Sequence, residues 1–218
     1  MTLNRSRGRF AVSRDDEPVE WTVTIAAAPE AARQDLLARW TLRMREGAQP
    51  MDVFAAIRTL LAVRDYEDRP VPDDVVRRML EAGRLTGSAG NKQPWHFIVV
   101  QDREMLRQLG AVARSGPYIA QAPLAIVVVV KRTPYAVSDA SRAIQDMLLT
   151  AWDEGVGGNW AGFGELEAAK PLLGIPAELD VLAIVPFGYP AARVGQGKKA
   201  RKPLAEIAHR ERWGTPYG

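Results

Sequence analysis

The densest run of chemistry-bearing side chains in this 218-residue sequence is Ser88-Ala89-Gly90-Asn91-Lys92-Gln93-Pro94-Trp95-His96-Phe97. Its hydroxyl and amide groups offer several neutral donors and acceptors, the lining that a polar heterocycle requires. Gly90 and Pro94 fix the course of the turn. A second concentration is basic. Residues 193–212 carry Arg193, Lys198, Lys199, Arg201, Lys202, Arg210 and Arg212 against Glu206 and Glu211, a net +5 in a chain whose total is +3. A compact basic segment on a slightly acidic body points to one local anionic partner, the alternative being a solvated basic loop.

Other chemistries are excluded by what the sequence lacks. There is no cysteine, so disulfides, thiolate metal sites, Fe–S ligation and a cysteine nucleophile are ruled out. Two histidines, His96 and His209, are too few for most zinc sites without cysteine, and no metal is expected. The stretch Gly155-Val156-Gly157-Gly158-Asn159-Trp160 lacks the last glycine of a dinucleotide fingerprint and follows a helical pattern instead of a strand. Gly195-Gln196-Gly197-Lys198-Lys199 has Ala192 where a Walker loop needs its first glycine, and Lys199 where it needs Ser or Thr. No GxSxG elbow supplies a hydrolytic nucleophile. The basic tail has no interleaved aromatics, which argues against nucleic acid. The longest apolar run, residues 124–130, has seven residues and cannot cross a bilayer. Residues 1–10 carry three arginines but no apolar stretch after them, so a cytoplasmic protein is expected.

The elements that position these residues begin at Met51. Before it, residues 1–50 read as an N-terminal extension of unknown role, with a short strand expected over 21–28 and a helix over 29–45. After it, helix and strand signals alternate through residue 218. Val53, Ile57, Leu60 and Leu61 predict one helical face, and Val75, Val76, Met79 and Leu80 a second helix entered through Pro70-Val71-Pro72-Asp73. Residues 97–100 predict a strand, and Asp102 caps a short helix. Residues 124–130 are too continuous and too β-branched for a surface element and predict a strand buried on both faces. Ala140, Ala143, Ile144, Met147, Leu148 and Ala151 form a helical stripe that Ser138 is expected to cap and Gly155, Gly157 and Gly158 to end. A helix over 165–173, a strand over 181–185 and a short helix over 203–209 complete an α+β domain with a mixed sheet flanked by helices.

The loop at 88–97 resembles that of the FMN-dependent nitroreductase family, whose members carry S-x-x-N-x-Q-P-W-x-F before a strand; six fixed residue types occur in ten positions. Other features follow in family order: Val63-Arg64-Asp65-Tyr66 after the first helix, Ala122-Pro123 before the buried strand, a glycine-rich turn over 155–164, Phe187-Gly188-Tyr189-Pro190, Lys199-Ala200-Arg201-Lys202, and His209-Arg210-Glu211-Arg212-Trp213-Gly214. The resemblance covers residues 51–214 and leaves out the extension.

It implies a homodimer with FMN at the subunit interface. Ser88, Asn91 and Gln93 would lie beside the isoalloxazine, contributed by the partner subunit, with Pro94 and Trp95 shaping the wall. Arg64 would face flavin N1 and O2, where negative charge develops on reduction. Backbone amides at Gly162 and Phe163 would reach N5. Lys199 and Arg201 would grip the phosphate; two apart on an extended segment, they project to one face. The implied reaction is ping-pong: NADH or NADPH gives a hydride to flavin N5, then leaves, and an electron-poor acceptor such as a nitroaromatic or quinone takes its place.

One departure is marked. Family members commonly carry Arg-Arg-Ser or a similar polar triplet just before Arg64, where this chain has Leu60-Leu61-Ala62. Losing a charged and a neutral hydrogen bond would cost about 2–4 kcal/mol, or about 30- to 1,000-fold in affinity. Arg58 or the basic tail compensates, or the pocket holds flavin weakly or prefers another ligand. The competing functions are other flavin chemistry on this fold (reductive dehalogenation, flavin processing) and flavin binding without turnover.

Overall fold

The computed structural model describes residues 9–14, 17–22, 51–162, 166–192 and 199–217. The chain divides into two compact units, residues 1–50 and 51–218. In the first, β1 (Arg9–Arg14) and β2 (Glu17–Thr22) form an antiparallel hairpin. Of the strand expected over 21–28, Trp21 and Thr22 lie in β2 and the rest lies outside the described residues; the hairpin's first strand lies in a stretch with no sustained alternation. The helix expected over 29–45 falls outside the described residues.

The second unit is built on a four-stranded sheet in the order β3 (Trp95–Val100), β4 (Leu124–Lys131), β6 (Leu179–Gly188), β5 (Gly157–Gly158). The pairings of these strands are antiparallel, and among the described residues the parallel component is a single bridge from Ala62 to Gly158. The apolar run at 124–130 becomes β4, the central strand, buried throughout except at Lys131. Alternation divides its side chains between two cores. Leu124, Ile126, Val128 and Val130 face α2 (Asp73–Leu85) and α4 (Ala136–Asp153), where Met79, Ile144 and Met147 are fully buried. Ala125, Val127 and Val129 face the other way, toward α3 (Arg103–Val112), α5 (Ala169–Leu173) and a 3-10 turn at Pro117–Gln121. Among the described residues no helix is long and apolar enough to cross a membrane.

Several expected local features appear. Asp102 caps α3 by accepting from the Met105 amide at 2.8 Å. Asp73 and Asp74 occupy the first turn of α2, where acidic groups offset the helix dipole. Others differ. Ser138 does not cap α4: the helix starts at Ala136, and the Ser138 hydroxyl donates to the Tyr135 carbonyl at 3.2 Å. Gly157 and Gly158 are an edge strand, not merely the end of that helix. The helix expected over 165–173 is a 3-10 turn, Leu166–Ala168, running into α5. α1 (Val53–Thr59) stops before Leu60 and buries Ala56, leaving Val53 and Phe54 each 70% exposed. The helix expected over 203–209 shortens to α6 (Leu204–Ile207).

Candidate active site

One cluster forms where residues 62–64 run beside β5. The Val63 amide donates to the Gly158 carbonyl at 3.1 Å, and the buried Val63 side chain fills the space that a Gly157 Cβ would enter. Only glycine admits that approach. With Val63 turned inward, Arg64 points to the exposed side. Its guanidinium carbon lies 5.8 Å from the centroid of the Tyr118 ring, within cation–π range. Asn159, next after β5, donates from Nδ2 to the Tyr118 hydroxyl and so fixes the ring that Arg64 meets. Beneath them, the Tyr66 hydroxyl donates to the Val63 carbonyl at 2.7 Å. Burial pushes the Tyr66 hydroxyl far above the ordinary phenol range, with Tyr118 adding to the rise and Arg64 opposing it, so Tyr66 stays neutral. The positive charge at this corner is therefore carried by Arg64, which makes no ion pair among the described residues.

A second group of cations gathers at the end of α1. The Lys199 ammonium donates to the Ile57 carbonyl at 2.6 Å, joining residues 142 apart. The last carbonyls of a helix have no partner within it, and a lysine there also complements the dipole. Arg58 lies in the same last turn and is exposed. The turn is tied to α4 by the Trp152 indole, which donates to the Thr59 hydroxyl at 3.0 Å. Arg201 is exposed, and among the described residues its guanidinium reaches the Ala200 carbonyl at 2.9 Å. Leu60 and Leu61 are half-buried, while Ala62 stands opposite Gly158 in a parallel bridge whose bond the Val63 amide donates.

The amide-rich loop stands elsewhere. The Ser88 hydroxyl accepts from the Gln93 amide at 2.9 Å, the Asn91 amide donates to the Ser88 carbonyl at 3.0 Å, and the Gln93 side chain donates to Asn91 Oδ1 at 3.0 Å. Gly90, Asn91 and Gln93 have φ of 57°, 54° and 45°, a sequence of left-handed turns that leaves Asn91 and Gln93 exposed. Pro94 and Trp95 are buried behind it, and the Pro94 carbonyl accepts from the Lys131 amide at 2.9 Å.

Two rulers give the separation within one chain. Trp95 pairs with Val130, whereas Gly158 pairs with Phe187, which pairs with Leu124 at the other end of β4. Six residues of strand span about 20 Å. Along α4, Ala89 bonds to Asp139 in the first turn and Thr59 to Trp152 in the last, thirteen residues and again about 20 Å apart. The fold thus brings Arg58 and Lys199 together, with Arg64 at the same end, and holds Ser88, Asn91 and Gln93 at the opposite end.

Gly162 follows Ala161, which exchanges two backbone bonds with Ile184 at 3.0 and 2.9 Å. A Cβ at Gly162 would overlap the Trp160 indole and crowd the Leu182 carbonyl oxygen at 3.1 Å. Close packing therefore requires glycine there. Phe163 lies outside the described residues. Tyr118 and Asn159 were not singled out by the sequence. Tyr118 belongs to no motif and Asn159 only to the glycine-rich turn, and the fold brings both to Arg64.

The nitroreductase family model matches residues 57–133 and 115–189, spanning the Arg64 corner, the amide-rich loop and the whole sheet. The chain belongs to the nitroreductase family. It is 38% identical over 154 residues to a protein of Methanothermobacter thermautotrophicus named as an NADH dehydrogenase/NAD(P)H nitroreductase, covering 66% of this chain and 81% of that one. Among solved structures it is similar to a nitroreductase of Desulfovibrio desulfuricans in complex with FMN, with a TM-score of 0.65, 32% identity and coverage of 76% and 99%. An FMN-dependent nitroreductase of Clostridium difficile gives a TM-score of 0.66 at 26% identity, with coverage of 72% and 98%.

Proposed function

We propose that this nitroreductase-family chain is an FMN-dependent NAD(P)H oxidoreductase. It passes reducing equivalents to a small electron-poor acceptor, such as a nitroaromatic or quinone, at a site completed by a second copy of the chain. The observation that carries this reading is the separation of two complementary half-sites by about 20 Å along β4 and α4. One half-site supplies cations, the other neutral amides and a hydroxyl. In a symmetric dimer each end of one chain faces the opposite end of the other, so two complete sites form.

The residues fit the group. When bound, FMN supplies hydride chemistry, being reduced by NAD(P)H and reoxidised by the acceptor. Lys199 and Arg201 hold the phosphate, and Lys199 reaches it from the end of α1 beside Arg58. That docking supplies a cation where Leu60-Leu61-Ala62 offers no side-chain donor. Arg64, oriented by Tyr118, stabilises negative charge at the pyrimidine edge of the ring. Ser88, Asn91 and Gln93 of the second copy hydrogen-bond the ring's heteroatoms, and Pro94 with Trp95 backs their loop. Gly162 offers its backbone amide near N5; Phe163, the other residue expected there, lies outside the described residues.

A double variant, Lys199→Ala with Arg201→Ala, tests the phosphate assignment. Charge-assisted bonds are worth about 1.5–3 kcal/mol each, so FMN affinity should fall at least about 100-fold in a fluorescence titration. Thermal unfolding should shift only slightly, because Arg201 is exposed and Lys199 gives up one bond, to the Ile57 carbonyl, worth about 1 kcal/mol. Undiminished affinity would remove the tail from the site.

A further inference from the structure

We infer that Asp139 is a positioning residue that sets the conformation of the amide-rich loop, and through it the flavin contacts; the second part rests on the function proposed above. Asp139 is 2% exposed, in the first turn of α4. A buried carboxylate is costly unless its oxygens are bonded, and here both are used. Oδ2 accepts from the Ala89 amide at 3.1 Å, and Oδ1 accepts from Arg142 at 2.5 Å. The N-terminal end of the helix also favours the negative charge. Arg142 in turn lies against the start of the loop, 4.0 Å from where a Gly87 Cβ would sit.

A second pin lies two turns further along the same helix face. Asp146 accepts from the Thr86 hydroxyl at 2.5 Å. Residues 139 and 146 are about 10 Å apart along the helix, and residues 86 and 89 are about 10 Å apart in extended chain. The segment 86–89 is thus stretched along α4 and fastened at both ends. Directly beyond the second fastening come the left-handed conformations of Gly90, Asn91 and Gln93. Non-glycine residues persist there only where surrounding structure holds them. Ser88 and Asn91 fall on either side of Ala89, so the amide that Asp139 holds fixes the register of the side chains offered to the flavin.

The test compares Asp139→Ala, Asp139→Asn and Thr86→Ala with the wild type in two readouts. The first is hydrogen exchange of the loop amides in flavin-free protein. The second is FMN affinity together with the visible circular dichroism of bound flavin, which reports ring environment and not overall stability. For Asp139→Ala, exchange over residues 89–93 should quicken by about tenfold or more, FMN affinity should fall about tenfold, and the flavin dichroism should change. Asp139→Asn keeps an oxygen for the Ala89 amide and should recover both to within about threefold. Thr86→Ala leaves the buried acid intact and should shift both in the same direction by about threefold, which keeps the test decisive if Asp139→Ala does not fold. Loop exchange and flavin dichroism unchanged in Asp139→Ala, or in Thr86→Ala if the former is unfolded, would overturn the inference. A wild type that binds no FMN would overturn the flavin reading alone, and the exchange readout would still decide whether Asp139 sets the loop.

Discussion

Arg64 is the residue on which the proposed chemistry turns. It carries positive charge at a corner where the neighbouring phenol stays neutral, and the Tyr118 ring, fixed by Asn159, gives its guanidinium a defined place. A cation that stabilises charge developing during reduction acts on the rate more than on ground-state affinity. Arg64→Ala should therefore slow flavin reduction by NAD(P)H about 100-fold in stopped flow while weakening FMN binding about tenfold or less. Reduction at wild-type speed would refute the role. At this scale the sequence marked candidates wherever residue type and spacing act together, as in Ser88, Asn91, Gln93 and the pair Lys199 and Arg201, and the first three share one bonded loop. It was silent on Tyr118, Asn159 and Asp139, which look like ordinary members of a turn, a loop and a helix. Their meaning arises from contacts across 41 and 50 positions of sequence.

The elements that matter most are the least regular. Buried strand β4 was readable from its continuous, β-branched run, and α4 from the helical period of its apolar stripe. β5 was not: a two-residue edge strand has no period, and its glycines read equally well as a helix stop. Yet β5 sets the height of Arg64, because Val63 packs where a Gly157 side chain would be. Gly157→Ala should force that segment outward, costing about 1–3 kcal/mol by overpacking. Denaturant unfolding should show the loss, and flavin reduction should slow with it because Arg64 is displaced. Wild-type stability would show that the 62–64 segment yields without cost. α1 was misread for a related reason. Val53, Ile57, Leu60 and Leu61 were expected on one helical face, but the helix ends at Thr59 and buries Ala56, leaving Val53, Phe54 and Ile57 outward.

On the scale of the molecule, that outward face and the 20 Å between half-sites make the same demand. A single chain of this fold offers half of each proposed site and an uncovered apolar helix face. Sedimentation should find a species of twice the 24.0 kDa chain mass, and Phe54→Glu should weaken association and FMN binding together. A monomer with undiminished flavin affinity would contradict the shared site. Family membership was legible because the loop motif and the order of the later segments survive in the sequence; the second copy's proposed contribution came from the sequence only as an implication of that resemblance, since no pattern within one chain states a distance. The central claim, that this chain turns over a bound flavin, is tested most directly by the absorption spectrum of the purified protein before and after anaerobic addition of NADH and NADPH. The account predicts flavin bands, from retained or added FMN, that bleach with one of the two donors and return with a nitroaromatic or quinone. A colourless protein that takes up no FMN, or a bound flavin that neither donor bleaches, would contradict it.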